Sequence, residues 1–247
     1  MTACNEEKYA AEITFWRDEI ARYVRWYNRR TREMYGIPAP TDDAKVVRHA
    51  TIEHNAIETW INADRWRYCK HLMVEPTYFS GKRVLEVGCG PLGLSRWFAG
   101  ATVHLLDPLL DVYDSLGYPP APGIRLQCHA EDIPVATETF DSIVSVNAID
   151  HVDDFEAAIA ELHRVLTADG ELRIEVHYHA KTVTEPVVLD DARVAAAFNA
   201  CGMLGMQKIS EEPSTTFYPA GTHPKQDRFV VWSNRTHIWR ADRALKG

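Results

Sequence analysis

Three glycines mark the part of the chain that is best suited to hold a nucleotide-like ligand. An apolar run over residues 84–87 leads into Gly88, Gly90 and Gly93, which satisfy the spacing G-x-G-x-x-G. In this pattern the glycines let the backbone approach a ligand at the end of a parallel strand. The spacing alone predicts a nucleotide cradle without naming the cofactor.

The charge beside the loop favours one cofactor over another. Glu86 lies two residues before the first glycine. A dinucleotide brings a doubly negative pyrophosphate to the following helix N-terminus, and a carboxylate there would repel it. S-adenosylmethionine has no phosphate and carries an ammonium and a sulfonium, so Glu86 attracts it.

Further acids follow the next two predicted strands. Asp107 ends an apolar run about 20 residues beyond the glycine turn, where a ribose diol needs an acceptor. Glu131 and Asp132 follow the short run 124–128, and a carboxylate there is placed to accept an amino group of adenine. Acids at three successive strand ends favour a cationic cofactor.

Together these motifs give a resemblance to a known family. Residues 81 to about 180 resemble a class I S-adenosylmethionine-dependent methyltransferase, and the third glycine falls one residue later than that family's commonest spacing. The matching segments are residues 84–90, 130–134, 140–147, and 163–166 followed by 170–172.

The resemblance implies roles for individual residues. Glu86 would serve the methionine amino group, and Gly88 and Gly90 the close approach of the backbone. Asp107 would accept the ribose hydroxyls, and Asp132 the adenine. S-adenosylmethionine is therefore the predicted cofactor.

Polar side chains after the fourth and fifth strands are the candidates for chemistry. Asn147 and His151 follow one strand, and His177 and His179 follow the next. Ligands bind outside the carboxyl ends of such a sheet, so these residues are predicted to face the methyl donor. The three histidines are candidate catalytic residues, and for His151 a hydrogen bond that fixes the loop is an equal alternative.

The pair His177 and His179 lies on one side of an extended strand, a geometry that suits a metal or a substrate hydroxyl. Two nitrogens make an incomplete zinc site, and a third ligand would have to come from Asp150, His151 or His223. Substrate contact is favoured over metal binding, so no metal ligand is assigned.

Two regions of different character are predicted. Residues 1–80 read as a helical cap or lid, beginning with an amphipathic helix from about 6 to 34 and continuing through a second helical region. Arg65 and Arg67 in that second region are candidates to pair with the methionine carboxylate. Residues 81–247 form the predicted S-adenosylmethionine-binding domain.

Strands and helices alternate from Gly81 onward, which predicts an α/β fold with a parallel sheet. Strands are predicted over 84–87, 102–106, 124–128, 141–146 and 171–177, with helices over 93–99, 109–116, 154–167 and 190–201. A terminal pair over 206–210 and 228–233 completes a Rossmann-like, seven-stranded, mostly parallel sheet with an antiparallel C-terminal strand.

Composition narrows the class of substrate. The 247 residues carry a net charge of -8, which argues against a nucleic-acid substrate. Five scattered cysteines without C-x-x-C spacing disfavour disulfides and zinc knuckles. With no basic, apolar leader and no membrane-length apolar window, we expect a cytoplasmic protein that acts on a small molecule without membrane association.

These observations favour methyl transfer to a polar small molecule, with O-methylation of a sugar or biosynthetic intermediate as the leading hypothesis, because histidines crowd the expected methyl site. The alternatives are N-methylation of a small amine, an NAD-dependent oxidoreductase, and a non-catalytic subunit that binds S-adenosylmethionine.

Overall fold

The fold is built on one seven-stranded sheet. The structure, a computed structural model, describes residues 3–35, 56–59, 62, 69–213 and 227–237. The strands are β1 (Arg83–Val87), β2 (Thr102–Leu106), β3 (Ile124–Leu126), β4 (Phe140–Val146), β5 (Leu166–Tyr178), β6 (Gln207–Pro213) and β7 (Arg228–Ser233). The helices are α1 (Ala3–Tyr35), α2 (Leu110–Ser115), α3 (Phe155–Val165) and α4 (Asp191–Ala200). Short helical pieces also occupy residues 56–59 and 69–72.

The strand order is β3-β2-β1-β4-β5-β7-β6, and only β7 runs antiparallel to its neighbours. This confirms the predicted α/β fold with a mostly parallel, seven-stranded sheet and an antiparallel C-terminal strand. The order reverses direction between β1 and β4, which is where sheets of this kind bind ligands at their carboxyl edge.

Burial explains why the central strands form where they do. Four of the five residues of β1 are buried, as are the last residues of β5 before Tyr178, because helices cover both faces of a parallel sheet. One face packs against α3 and α4, and the other packs against residues 69–79, which contribute Leu72 and Phe79 to a shared core. Asp154 caps α3 by accepting a hydrogen bond from the Ala157 amide at 2.9 Å.

Two predicted elements are shorter than expected. The predicted helix over 93–99 is a 3₁₀ turn, Leu94–Trp97, because nearby side chains take the backbone groups that an α-helix would pair. Arg96 donates to the carbonyls of Leu92 and Gly93, at 2.5 and 3.2 Å. β3 ends at Leu126 instead of 128, since the Cys128 amide donates back to the Leu126 carbonyl at 3.0 Å.

The N-terminal helix confirms the predicted amphipathic segment and lies across the ligand-binding edge. Its apolar side packs on the loop and helix that follow β1 and β2, and the contacting residues of α1 are Tyr9, Ile13, Trp16, Ile20 and Tyr23. The Tyr118 hydroxyl donates to the Trp16 carbonyl at 2.8 Å. In the part of the chain that the structure describes, no helix combines the length and apolar character needed to cross a bilayer.

Candidate functional site

The glycine loop follows a path that side chains would block. Gly88 and Gly90 have φ of 66° and 55°, a left-handed conformation that favours glycine. A Cβ at Gly88 would lie 2.2 Å from the Ala148 Cβ, so the β1 loop fits tightly against the β4 loop. A Cβ at Gly90 would lie 3.5 Å from the Trp16 ring, which places α1 directly over the loop.

Glu86 lies beneath this loop. Its side chain is buried, and its Oε2 accepts hydrogen bonds from the Ser95 amide at 3.1 Å and from the Ser95 hydroxyl. The carboxylate therefore fixes the 3₁₀ turn that follows the glycines. Its predicted contact with the methionine amino group remains a prediction.

Asp107 joins the end of β2 to the glycine loop. Its Oδ2 accepts from the Gly90 amide at 3.0 Å and its Oδ1 from the Leu109 amide at 2.9 Å. The side chain is 6% exposed, and burial raises its pKa to about 6. The Tyr113 side chain also donates a hydrogen bond to this carboxylate. A carboxylate accepts about four hydrogen bonds, so Asp107 retains capacity for a ribose hydroxyl.

The loops after β3 and β4 carry the remaining predicted cofactor residues. Glu131 ties its loop to the start of α3, because its Oε1 accepts from the amides of Asp153 and Asp154 at 2.7 and 3.1 Å. Asp132 is exposed on the same loop. Asn147 has φ of 49°, and its Oδ1 is buried without a hydrogen-bond partner among the described residues.

The helix α1 is fastened to this edge by polar contacts as well as by packing. Lys8 donates to the His151 carbonyl at 3.0 Å and forms an ion pair with Asp153. The Tyr9 hydroxyl lies 3.2 Å from His129 Nδ1, on the loop after β3. These contacts place α1 across the ends of several strands, over the glycine loop and Asp107.

His151 lies between two carboxylates. Its Nδ1 is 3.4 Å from Glu12 Oε2 on α1, and its Nε2 is 3.8 Å from Glu185 Oε1. Burial lowers the pKa of His151, but the hydrogen bond to Glu12 and the charges of Asp150, Glu12 and Glu185 outweigh it and raise the pKa to about 9. At neutral pH the ring therefore holds a proton on each nitrogen, a state in which it donates hydrogen bonds and accepts no further proton.

His177 and His179 lie side by side, as the sequence predicts. Their ring centroids are 4.5 Å apart, and His177 also stacks on Phe229 at 4.4 Å. His179 Nε2 is 3.1 Å from Asp150 Oδ2, and Glu185 lies 3.7 Å from each histidine.

The histidines and carboxylates of this group shift one another's pKa values. Burial lowers the pKa of His179, and Asp150 and Glu185 raise it above its usual value. Burial raises the pKa of Glu185, and the neighbouring histidines lower it to about 2. One donor atom from each of Asp150, His177, His179 and Glu185 lies within 4.8 Å of the others.

Sequence reasoning missed two members of this region. Glu12 lies in the amphipathic helix, and Glu185 lies in an irregular segment; neither belongs to a motif, so only the fold brings them to His151. Of the suggested third metal ligands, Asp150 reaches the histidine pair. Arg65, Arg67 and His223 lie outside the described residues.

Comparison with known proteins finds similarity to methyltransferases over part of the chain. Residues 85–174 match the family model described as "Methyltransferase domain". The malonyl-[acyl-carrier protein] O-methyltransferase of Enterobacter lignolyticus is 35% identical over 92 residues, covering 36% of this chain and 37% of that protein. The mitochondrial ubiquinone biosynthesis O-methyltransferase of Bos taurus is 29% identical over 169 residues, covering 63% of this chain. The match spans 40% of the bovine protein, so in both comparisons it covers less than half of the relative.

Solved structures share the fold. Phosphoethanolamine N-methyltransferase 2 of Haemonchus contortus, in complex with S-adenosyl-L-methionine, aligns with a TM-score of 0.53 and 15% identity over 76% of this chain and 57% of that chain. An S-adenosylmethionine-dependent methyltransferase of Mesorhizobium loti aligns with a TM-score of 0.51 and 14% identity over 70% of this chain and 99% of that chain. Residues 85–174 are therefore similar to a methyltransferase domain, and the described sheet has the fold of S-adenosylmethionine-dependent methyltransferases.

Proposed function

We propose that the protein transfers the methyl group of S-adenosylmethionine to an oxygen of a polar small molecule. The observation that carries the proposal is the juxtaposition of two residue groups on one sheet edge. The glycine loop and Asp107 lie at the ends of β1 and β2, and the group of histidines and acids lies at the ends of β4 and β5.

The residues at the first group fit a cationic cofactor. Gly88 leaves no room for a side chain, and Asp107 offers two acceptor oxygens in a buried position. Glu86 and Glu131 add negative charge, which disfavours the pyrophosphate of NAD. When bound there, S-adenosylmethionine supplies an activated methyl group on a sulfonium.

The second group fits an acceptor held beside that methyl. β1 and β4 are direct neighbours, so the glycine loop after β1 lies about one strand spacing, roughly 5 Å, from the turn after β4 and about two spacings from the end of β5. Methyl transfer needs the acceptor atom in line with the sulfonium at about 3 Å, and the protein's contribution is to hold it there. His151, His177 and His179 are the proposed acceptor-contacting residues.

The charges around the histidines favour oxygen over nitrogen as the acceptor atom. Asp150, Glu185 and Asp227 lie within 4 Å of a histidine of the pair, and Glu12 lies near His151. Carboxylates raise the pKa of a nearby amine and keep it protonated, so its lone pair cannot attack the methyl group. Both curated relatives are named as O-methyltransferases.

The helix α1 is proposed to act as a lid. Asp107 is only 6% exposed beneath Trp16 and its neighbours, so a ligand reaches it when α1 moves aside. Closure would then exclude water from the methyl group.

Two measurements test the proposed function. Titration calorimetry with S-adenosylmethionine, S-adenosylhomocysteine and NAD should give micromolar binding of the first two and no measurable binding of NAD. Incubation with methyl-labelled cofactor and matched hydroxyl and amine compounds should label a hydroxyl oxygen, located by mass spectrometry. Tighter binding of NAD contradicts the cofactor assignment, and labelling of amines alone contradicts O-methylation. Cofactor binding without transfer to any compound supports the non-catalytic alternative.

A further inference from the structure

Four side chains converge from three separate segments at the carboxyl edge of the sheet. Asp150 comes from the turn after β4, His177 from the end of β5, and His179 and Glu185 from the chain that follows it. One donor atom of each lies within 4.8 Å of the donor atoms of the other three. We define these four residues as the two-histidine, two-carboxylate cluster.

The spacing of the cluster is close to that of a metal site. Bonds of about 2.0–2.2 Å to a tetrahedral ion place its ligand atoms roughly 3.3–3.6 Å apart. His179 Nε2 lies 3.1 Å from Asp150 Oδ2, and His177 Nδ1 lies 3.7 Å from Glu185 Oε1. All four ligand atoms lie within 4.8 Å of one another, so side-chain adjustments of at most about 1.5 Å would bring them to the spacing of one ion.

Each histidine also has an acceptor facing its second ring nitrogen. His177 Nε2 lies 3.8 Å from Asp227 Oδ2, and His179 Nδ1 lies 2.5 Å from the Ala180 carbonyl. Metal-binding histidines regularly donate their second N–H to a carboxylate or a backbone carbonyl, which fixes the tautomer and leaves the other nitrogen for the ion. His179 has this arrangement, and at His177 the Asp227 carboxylate faces the second nitrogen from just beyond hydrogen-bond distance.

Asp150 supplies an independent observation. Its side chain is completely buried, and its Oδ1 has no hydrogen-bond partner among the described residues. A buried carboxylate oxygen without a partner is costly, and a bound cation would satisfy it.

We propose that the cluster binds a divalent first-row transition metal ion such as Zn²⁺. Two imidazoles and two carboxylates suit zinc and its neighbours, whereas Mg²⁺ prefers oxygen ligands alone. The cluster shares His177 and His179 with the proposed acceptor site but is separate from the glycine loop and Asp107, so metal binding can be measured whether or not the protein transfers a methyl group. The sequence favours substrate contact over metal binding at the histidine pair, and this proposal reverses that preference.

The test measures metal binding by the full chain without reference to activity. Protein stripped with a chelator and then dialysed against Zn²⁺ should retain one equivalent by elemental mass spectrometry. Co²⁺ should give the intense visible absorption of a tetrahedral site. Zn²⁺ should raise the melting temperature, and Mg²⁺ should not.

Variants of the cluster residues test where the ion binds. His177→Ala and Glu185→Gln should each weaken Zn²⁺ binding by at least about 100-fold, and Asp227→Asn by about 10–100-fold because it orients a ligand. His163→Ala is the matched control, since His163 is exposed on α3 and outside the cluster. It should bind as the wild type does.

Two outcomes overturn the proposal. One is a wild-type protein, folded by circular dichroism, that retains no Zn²⁺ or Co²⁺ after dialysis. The other is an unchanged stoichiometry and affinity in Glu185→Gln and in Asp150→Asn. Glu185→Gln and Asp150→Asn keep the test decisive if His177→Ala fails to fold, because both replacements are nearly isosteric.

Discussion

The two halves of the ligand-binding edge are built by different means. The proposed cofactor half, formed by Gly88, Gly90 and Asp107, depends on backbone shape and backbone amides. The proposed acceptor half, formed by His151 and the two-histidine, two-carboxylate cluster, depends on side chains from distant segments that balance one another's charge. A local motif therefore specifies the cofactor, whereas the fold must be complete before the acceptor half exists.

The largest expected effect comes from adding one methyl group to the cofactor half. Gly88→Ala would place a Cβ 2.2 Å from the Ala148 Cβ in a backbone conformation with φ of 66°. We expect the affinity for S-adenosylmethionine to fall more than about 100-fold, since strain of this kind costs about 1–3 kcal/mol before the clash is counted. Calorimetry measures the affinity.

The control for this variant separates backbone strain from the clash. Gly117 also has a positive φ, of 92°, but a Cβ there would meet no atom within 4 Å. Gly117→Ala should lower the melting temperature slightly and leave cofactor affinity unchanged. Normal binding by a folded Gly88→Ala protein would show that the loop is not the cofactor cradle.

The next-largest effect is expected at α1, the helix that packs over the glycine loop. Trp16→Ala removes the ring above Gly90 and its edge contacts with Tyr113 and Tyr118. We expect kcat/KM to fall by about 100-fold, because a loosened lid admits water and misplaces the substrates.

Trp26→Ala is the matched control on the same helix, since Trp26 packs against Tyr23 and Arg30, away from the glycine loop. It should keep at least half of the wild-type kcat/KM. Equal losses in the two variants would assign α1 a general stabilising role in place of a lid.

The sequence predicts the two halves unequally, and the physical reason is the range of the contacts. Gly88 and Asp107 follow apolar runs that predict strands, and Glu86 lies within the first of these runs. The alternation of strands with helices predicts the parallel sheet. Glu12 and Glu185 carry no local signal, because their partners are charges that only the tertiary structure brings close. The sequence predicts a longer helix in place of the 3₁₀ turn at Leu94–Trp97 for a similar reason, since the side chains of Glu86 and Arg96 bind backbone groups of this segment.

A smaller effect is expected at His151, and its size distinguishes two roles. The ring hydrogen-bonds to Glu12 through Nδ1, and its charge attracts Glu185, which lies 3.8 Å from Nε2, so the ring holds two carboxylates in place. His151→Ala should lower kcat by about 10–100-fold, the range for a lost hydrogen bond between charged groups, with cofactor affinity unchanged. A general base would cost about 10²–10⁴-fold, so a loss near the upper limit would restore the base role predicted from the sequence.

The smallest effect is the pH dependence of cofactor binding, and it arises at Asp107. Burial raises the pKa of this carboxyl to about 6, so the group is ionised above pH 6 and protonated below it. The ionised form accepts ribose hydroxyls more strongly, and the affinity for S-adenosylmethionine should therefore be full near pH 7.5 and fall as the pH drops through 6. At pH 5 the loss should reach a few-fold and at most about tenfold, because one unit below the pKa only about one tenth of the carboxyl groups remain ionised. Asp107→Asn should remove this dependence, and Asp107→Ala should weaken binding at pH 7.5 by about 1–3 kcal/mol.

Calorimetry at pH 5, 6 and 7.5 makes the comparison, with Asp114→Asn on the exposed end of α2 as the control. A wild-type profile that stays flat, or one that Asp107→Asn leaves unaltered, would move the ribose contact to another residue and leave the cofactor half defined by its glycines alone.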